Sequence, residues 1–156
     1  MLVKDIMTTA VKTTVPHATI GETAATMCFN KISGLPVLDA EGRVVGIISE
    51  KDVLRGMYPG MQEFMEDHWI DMEKLESDYR DVLHMNVEQL MSTNVVTVPP
   101  DVPVLKAVSV MCARRIRRIP VAVNGKLVGI ISMGDVHKAI FQKSLLGVET
   151  KVRGVA

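Results

Sequence analysis

Aromatic side chains and cysteines are scarce in this sequence of 156 residues. Only 4% of the residues are aromatic, and the 2 cysteines form no Cys-x-x-Cys pair. We therefore expect an aliphatic core in which the 11 methionines fill gaps. Two separate cysteines fit a reducing compartment. Because Cys28 and Cys112 each follow a methionine on the apolar face of a predicted helix, both are interpreted as small core residues.

Net charge, a membrane-spanning apolar run and an apolar leader segment are also missing. The 18 basic residues balance 18 acidic ones, so composition gives no general argument for nucleic acid binding. With no apolar stretch in residues 1–14 or long enough elsewhere to cross a bilayer, we expect a cytoplasmic protein without membrane contact. The 4 histidines lack ligand spacing, so no metal site is expected. No P-loop, dinucleotide-binding glycine fingerprint or nucleophile elbow is present, and we expect no enzymatic activity.

The chain contains an internal repeat. The sequence Val-Gly-Ile-Ile-Ser at 45–49 returns at 128–132, and an aspartate, Asp52 or Asp135, follows each copy at the same spacing. Residues 3–8 align in the same way with residues 87–92. The copies differ in length by one residue, and the deletion falls in a turn. A match of this length indicates a duplicated folding unit.

Each copy predicts the element order β-α-β-β-α. The first strand is placed at 11–15 and at 95–98, before a proline. A helix follows, and in the first copy Thr19 and Glu22 have capping-box spacing. Two strands joined by a glycine-containing turn come next, and the closing helix begins at Ser49 or Ser132. Gly in these last strands lets another group approach the backbone closely.

The predicted organisation is an α+β fold in two halves. Repeat 1 covers residues 1–57, a helical insert 58–85, repeat 2 residues 86–145 and a tail 146–156. Because halves of about 60 residues bury little surface alone, we expect them to pack sheet to sheet as one pseudo-twofold disc.

The insert has apolar residues at steps of three and four and many acidic residues, which predicts an acidic amphipathic helix over 61–83. It is either a solvated linker helix or a contact surface for a partner, with Trp69 as its anchor.

Two residue groups have the chemistry of a ligand site. The pairs Ser49 with Asp52 and Ser132 with Asp135 lie where a strand turns into a helix, and a hydroxyl, a carboxylate and free N–H groups suit a polar ligand. Helix capping alone is the other interpretation. Four arginines within residues 114–118 suit a di- or triphosphate, or form a solvated basic edge or a pairing surface for the insert. The first repeat has Asn-Lys-Ile-Ser-Gly there, so unequal sites are expected, with more phosphate preferred at the second.

The paired motifs resemble a known family. They are Ser-Gly-Leu-Pro-Val-Leu-Asp with Gly-Arg-Val-Val-Gly-Ile-Ile-Ser-Glu-Lys-Asp-Val-Leu-Arg, and Arg-Arg-Ile-Pro-Val with Gly-Lys-Leu-Val-Gly-Ile-Ile-Ser-Met-Gly-Asp-Val. This pattern resembles a tandem cystathionine-β-synthase (CBS) domain pair, or Bateman module, over all but residues 58–85. The resemblance implies an adenine nucleotide (AMP, ADP or ATP) in the cleft between the repeats, with Asp on the ribose hydroxyls and Ser near the phosphate. It also implies a homodimer.

The expected function is a non-enzymatic regulatory sensor that passes nucleotide occupancy to a protein partner through a conformational shift. One alternative is a structural or interaction protein that docks a partner through the acidic helix 61–83 and has no physiological ligand. Another is a nucleic acid binder, which the zero net charge and few aromatics disfavour. The predicted nucleotide-binding residues are Ser132, Asp135, Ser49, Asp52, Thr97, Thr13, Arg115, Arg117, Arg118, Ile119, Pro120 and Pro36.

Overall fold

Short hairpins and helices make up the chain, as seen in a computed structural model that describes residues 1–57, 66 and 71–153, with the side chains of 147–153 excepted. The predicted α+β class with two repeats is confirmed. In chain order the elements are a 3-10 helix Val3–Asp5, α1 (Ile20–Asn30), β1 (Gly34–Leu38), β2 (Val44–Ser49), α2 (Glu50–Arg55), α3 (Met72–Leu83), α4 (Val87–Leu90), α5 (Val104–Arg114), β3 (Arg118–Val123), β4 (Lys126–Ser132) and α6 (Met133–Arg153).

The chain forms two compact units, and each unit contains the first segment of the other sequence repeat instead of its own. The Ser49 unit is Lys12–Val95, and the Ser132 unit combines Met1–Val11 with Val96–Ala156. The segment that opens the first copy of the sequence therefore folds with the second copy. The segment that opens the second copy folds with the first. The boundaries 1–57 and 86–145 describe the duplication of the sequence and stay a prediction.

In the Ser49 unit, β1 and β2 form an antiparallel hairpin that single bridges extend on both edges. Thr14 bridges in parallel to Val37 of β1, and Ser92 bridges to Ile47 of β2. The strand predicted at 11–15 contributes only this one bridge, since Pro16 has no N–H with which to continue a ladder. The core of the unit consists of Ile20, Met27, Leu35, Val37, Ile48, Val53, Met57, Val82 and Val87.

The Ser132 unit repeats this arrangement with β3 and β4. Val98 bridges in parallel to Val121, which again replaces the predicted first strand, and Thr8 bridges to Ile130 on the opposite edge. The Lys4 ammonium donates to Asp101 at 2.6 Å, and this hydrogen bond raises the pKa of Lys4. The core of the unit consists of Val3, Val98, Val104, Ala107, Met111, Ile119, Val121, Ile131 and Val136.

The segments that open the two sequence repeats, 3–8 and 87–92, pack closely against the glycines of β4 and β2. A Cβ built on Gly46 would lie 2.6 Å from Met91 Sδ, and one on Gly129 would lie 2.6 Å from Met7 Sδ. The predicted close approach to these strands is thus confirmed. The approaching group is a methionine from the segment that leads the other sequence repeat.

Two local predictions for the helices have opposite outcomes. The capping box of α1 is confirmed, because Thr19 Oγ1 accepts from Glu22 N at 3.2 Å and Glu22 Oε2 accepts from Thr19 N at 3.0 Å. The core interpretation of the cysteines is wrong, since Cys28 and Cys112 are exposed. Each cysteine follows a buried methionine, and one residue is a rotation of about 100° around a helix.

The described part of the insert contains α3, an acidic helix attached by its last turns. Asp71 Oδ1 caps it by accepting from Lys74 N at 3.1 Å. Val82 near its end is only 3% exposed, whereas Met72 at its start is 55% exposed. The rest of the predicted helix, including Trp69, lies outside the described residues. Within the described ranges, no helix is both long and apolar enough to span a bilayer.

Candidate functional site

The Ser49–Asp52 pair lies where β2 passes into α2, and Ser49 orients the carboxylate of Asp52. Asp52 Oδ2 accepts from Ser49 N and from Ser49 Oγ, both at 2.9 Å. Asp52 Oδ1 accepts from Arg55 Nη2 at 2.6 Å. The aspartate is only 5% exposed, and these three hydrogen bonds offset the cost of burying its charge.

The Ser132–Asp135 pair has the same geometry at the passage from β4 to α6. Asp135 Oδ2 accepts from Ser132 N at 2.8 Å and from Ser132 Oγ at 2.6 Å, and Asp135 N donates back to Ser132 Oγ at 3.2 Å. Asp135 is only partly buried. In both pairs the aspartate caps its helix by accepting from the serine N–H, so the capping interpretation is confirmed, and in the second pair the serine hydroxyl also accepts from the helix.

The two carboxylates differ in what contacts their second oxygen. Lys138 occupies the repeat position that Arg55 has in the other copy, and it is exposed. Among the residues described, neither Lys138 nor any other cation forms an ion pair with Asp135. Asp135 Oδ1 thus accepts from no cation of the described chain, whereas Asp52 Oδ1 already accepts one hydrogen bond from Arg55. Arg55 is not among the residues predicted from the sequence, although its spacing of three residues from Asp52 in a helix is typical of an ion pair.

Arg118 and Arg117 lie beside the Ser132 pair. Arg118 is the direct partner of Ser132 in the β3–β4 ladder, and such opposite residues project from the same face of a sheet. Arg117 is exposed, and its carbonyl accepts from Met133 N at 2.9 Å. In the Ser49 unit the residue opposite Ser49 is Gly34. The two copies thus differ in basic charge on the strand next to each serine, where one has Arg118 and the other Gly34.

Arg115 has a different place from these two arginines. It forms the C-cap of α5 in a left-handed conformation with φ 54°, as Lys31 does for α1 with φ 52°. The side chain of Arg115 is exposed. Its position is determined by the end of the helix, and within the described residues it makes no hydrogen bond or ion pair with Ser132 or Asp135.

The remaining predicted residues divide into exposed hydroxyls and buried strand positions. Thr13 and Thr97 are exposed, and each precedes the residue that bridges to the hairpin. Pro36 and Pro120 are buried, and their carbonyls accept from Thr14 N at 3.1 Å and Val98 N at 3.2 Å. Ile119 is fully buried in the core of the Ser132 unit. A role for these residues in ligand binding stays a prediction.

Other chemistry is not evident in the described part of the chain. No group of three His, Cys, Asp or Glu side chains there is arranged to hold a metal ion. Every buried side-chain nitrogen or oxygen among these residues has a hydrogen-bond partner. A duplicated α+β unit with a Ser–Asp pair at each strand-to-helix junction defines the class of protein as a paired-repeat α+β module.

The chain belongs to the CBS domain family. The CBS domain model matches residues 3–58 and again residues 87–142. The CBS domain-containing protein YhcV of Bacillus subtilis is 31% identical over 134 residues, which make up 85% of this chain and 81% of YhcV. The resemblance stated from the sequence is therefore confirmed.

Solved CBS pairs have the same fold. The CBS-pair protein CBSX2 of Arabidopsis thaliana is 25% identical, with a TM-score of 0.76 over 92% of this chain and 96% of that one. The CBS domain pair of protein MJ0100 is 25% identical, with a TM-score of 0.68 over 92% of this chain and 98% of that one. The MJ0100 pair was crystallised with 5′-methylthioadenosine and S-adenosyl-L-methionine, and CBSX2 with AMP. Similar CBS pairs thus bind adenosyl ligands.

Proposed function

We propose that this chain is a non-enzymatic regulatory CBS pair whose Ser132 unit binds an adenine nucleotide of the AMP, ADP or ATP class. One observation carries the proposal: Ser132 holds one oxygen of Asp135, while the other has no protein donor among the described residues. A carboxylate oxygen has two lone pairs, so Asp135 Oδ1 can accept both hydroxyls of a ribose. The adenosyl ligands of the MJ0100 pair support the ligand class.

The phosphate of such a nucleotide would meet positive charge in the Ser132 unit. Arg118 lies opposite Ser132 on the neighbouring strand, and Arg117 comes directly before that strand. A guanidinium group can donate two parallel hydrogen bonds to phosphate oxygens. α6 begins at Met133 and runs to Arg153. The partial positive charge at its N-terminus would favour the phosphate. We place the base near the exposed Thr97 and its neighbours, and the same arrangement in the Ser49 unit near Thr13 and Pro36.

Regulation requires that the nucleotide binds one conformation better than another. We propose that occupancy shifts such an equilibrium in a cytoplasmic homodimer and so changes the surface that a partner protein contacts. A second candidate, docking of a partner without any ligand, is supported by α3, where Met72 and Leu75 are 55% and 37% exposed on an acidic helix.

The test is calorimetric titration of the chain with AMP, ATP and S-adenosylmethionine, repeated with Asp135→Asn. We expect the variant to bind about 10- to 100-fold more weakly, because it loses a hydrogen bond to a charged group. Asp101→Asn is the matched control. It removes the same charge from an exposed residue of the same unit, and its binding should equal that of the wild type.

Two results would contradict the proposal in different ways. If Asp135→Asn binds as tightly as the wild type while thermal unfolding shows both to be folded, the assigned site is wrong. If none of the three ligands binds the wild type at millimolar concentration, the docking alternative is favoured.

A further inference from the structure

The two Ser–Asp pairs share their first set of hydrogen bonds and differ in the second. In both units, the serine N–H and hydroxyl donate to the same carboxylate oxygen, Oδ2. Oδ2 thereby accepts two hydrogen bonds in each unit, so a further donor would bind Oδ1. The two units differ in which group contacts Oδ1 of Asp52 and Oδ1 of Asp135.

Against Asp52 Oδ1 lies the guanidinium of Arg55, at 2.6 Å from Nη2. The bond joins a guanidinium to a carboxylate and is therefore charge-assisted. The carboxylate beneath it is 7% exposed at the side chain. A ribose hydroxyl would therefore have to reach a buried oxygen that already accepts from a guanidinium.

Against Asp135 Oδ1 there is no such group in the described chain. Lys138 has the repeat position of Arg55, but its ammonium makes no ion pair with Asp135. Asp135 is correspondingly more accessible than Asp52. The two cations also differ chemically, because an arginine presents a planar fork of donors and a lysine a flexible point charge.

We infer that Arg55 acts as a specificity-determining latch that lowers the affinity of the Ser49 unit for an adenine nucleotide and makes the Ser132 unit fill first. This inference rests on the proposed function and assigns an order to its two sites. The Arg55 side chain is 59% exposed, so it can rotate away from Asp52 without any change of the backbone. The Ser49 unit is thus a second, weaker site that fills at higher nucleotide concentration.

The experiment measures AMP binding by calorimetry in a background that isolates the Ser49 unit. Asp135→Asn weakens the Ser132 site, and Arg55→Met is then added to remove the guanidinium while keeping an apolar stem of similar length. We expect the double variant to bind AMP at least about tenfold more tightly than Asp135→Asn alone. Lys138→Met is the matched control in an otherwise wild-type chain, and it should change the affinity by no more than about twofold.

A reciprocal variant tests the same idea without disturbing Asp52. Lys138→Arg places a fork of donors one helical turn after Asp135, and we expect it to weaken AMP binding by about tenfold. Thermal unfolding of every variant shows whether it is folded. If Arg55→Met unfolds, Lys138→Arg still decides the inference.

The outcomes separate the latch from the proposed function. If the wild type binds AMP and neither Arg55→Met nor Lys138→Arg changes the affinity, the latch is overturned and the proposed function stands. Weaker binding by the Arg55→Met double variant would show that Arg55 contacts the nucleotide, which also overturns the latch. Absence of AMP binding in the wild type and in all variants overturns both.

Discussion

At the scale of single residues, the two equivalent glycines Gly46 and Gly129 have the same physical role in the two units. Gly46 and Gly129 accommodate a methionine side chain and the backbone that follows it. A Cβ on Gly129 would lie 3.0 Å from the Thr8 carbonyl oxygen as well as 2.6 Å from Met7 Sδ. The sulfur can move, but the carbonyl belongs to a bridge with Ile130 and cannot move without cost.

We predict that Gly129→Ala destabilises the protein by about 1–3 kcal/mol, because the added methyl group overpacks this contact. Urea unfolding measures the effect. Met7→Ala in the same chain should restore only part of the loss, since the Thr8 carbonyl stays in place. Gly134→Ala is the control, because its added Cβ would meet no atom closer than 3.6 Å in a helix. Equal stability of Gly129→Ala and Gly134→Ala would contradict the prediction.

At the scale of elements, short sequence signals determine where helices begin and where the hairpins turn. Thr19 and Glu22 exchange two hydrogen bonds at the start of α1. In the β3–β4 hairpin, Asn124 and Gly125 have positive φ of 52° and 79°, which suits the two-residue turn of a twisted hairpin. Spacing predicted these features well, because each depends on residues no more than four positions apart.

We predict that Thr19→Ala lowers the free energy of unfolding by about 1 kcal/mol, because the N–H groups of the first turn lose their acceptor. Chemical denaturation followed by circular dichroism measures the change. Thr26→Ala in the middle of the same helix should be neutral or slightly stabilising, because that hydroxyl only bonds the Glu22 carbonyl. The role of the cap would be refuted if the two variants lost the same stability.

At the scale of the whole molecule, the first segment of each sequence repeat contributes to the core of the unit that contains the other repeat's hairpin. Val3 and Val87 occupy equivalent repeat positions, and both are fully buried. Val3 packs in the core of the Ser132 unit, and Val87 in that of the Ser49 unit. Each repeat of the sequence therefore depends on the other for one wall of its core.

We predict that Val3→Ala destabilises the Ser132 unit by about 2 kcal/mol through a cavity in its core. Amide hydrogen exchange should then increase in β3 and β4 and stay unchanged in β1 and β2. Val87→Ala is the matched variant and should show the opposite pattern. Faster exchange in β1 and β2 of Val3→Ala would show that residues 1–11 fold with their own repeat.

The sequence by itself determined the duplication, the hairpins and their flanking helices, the Ser–Asp pairs and the family. These depend on local spacing and on similarity between the two copies. Only the tertiary structure decided that Cys28 and Cys112 lie beside the buried stripes, that Arg55 covers Asp52, and that residues 1–11 join the second copy. The physical reason for the last of these is that it depends on contacts between residues far apart in the chain, such as Val3 with the core around β3 and β4, which local spacing does not specify.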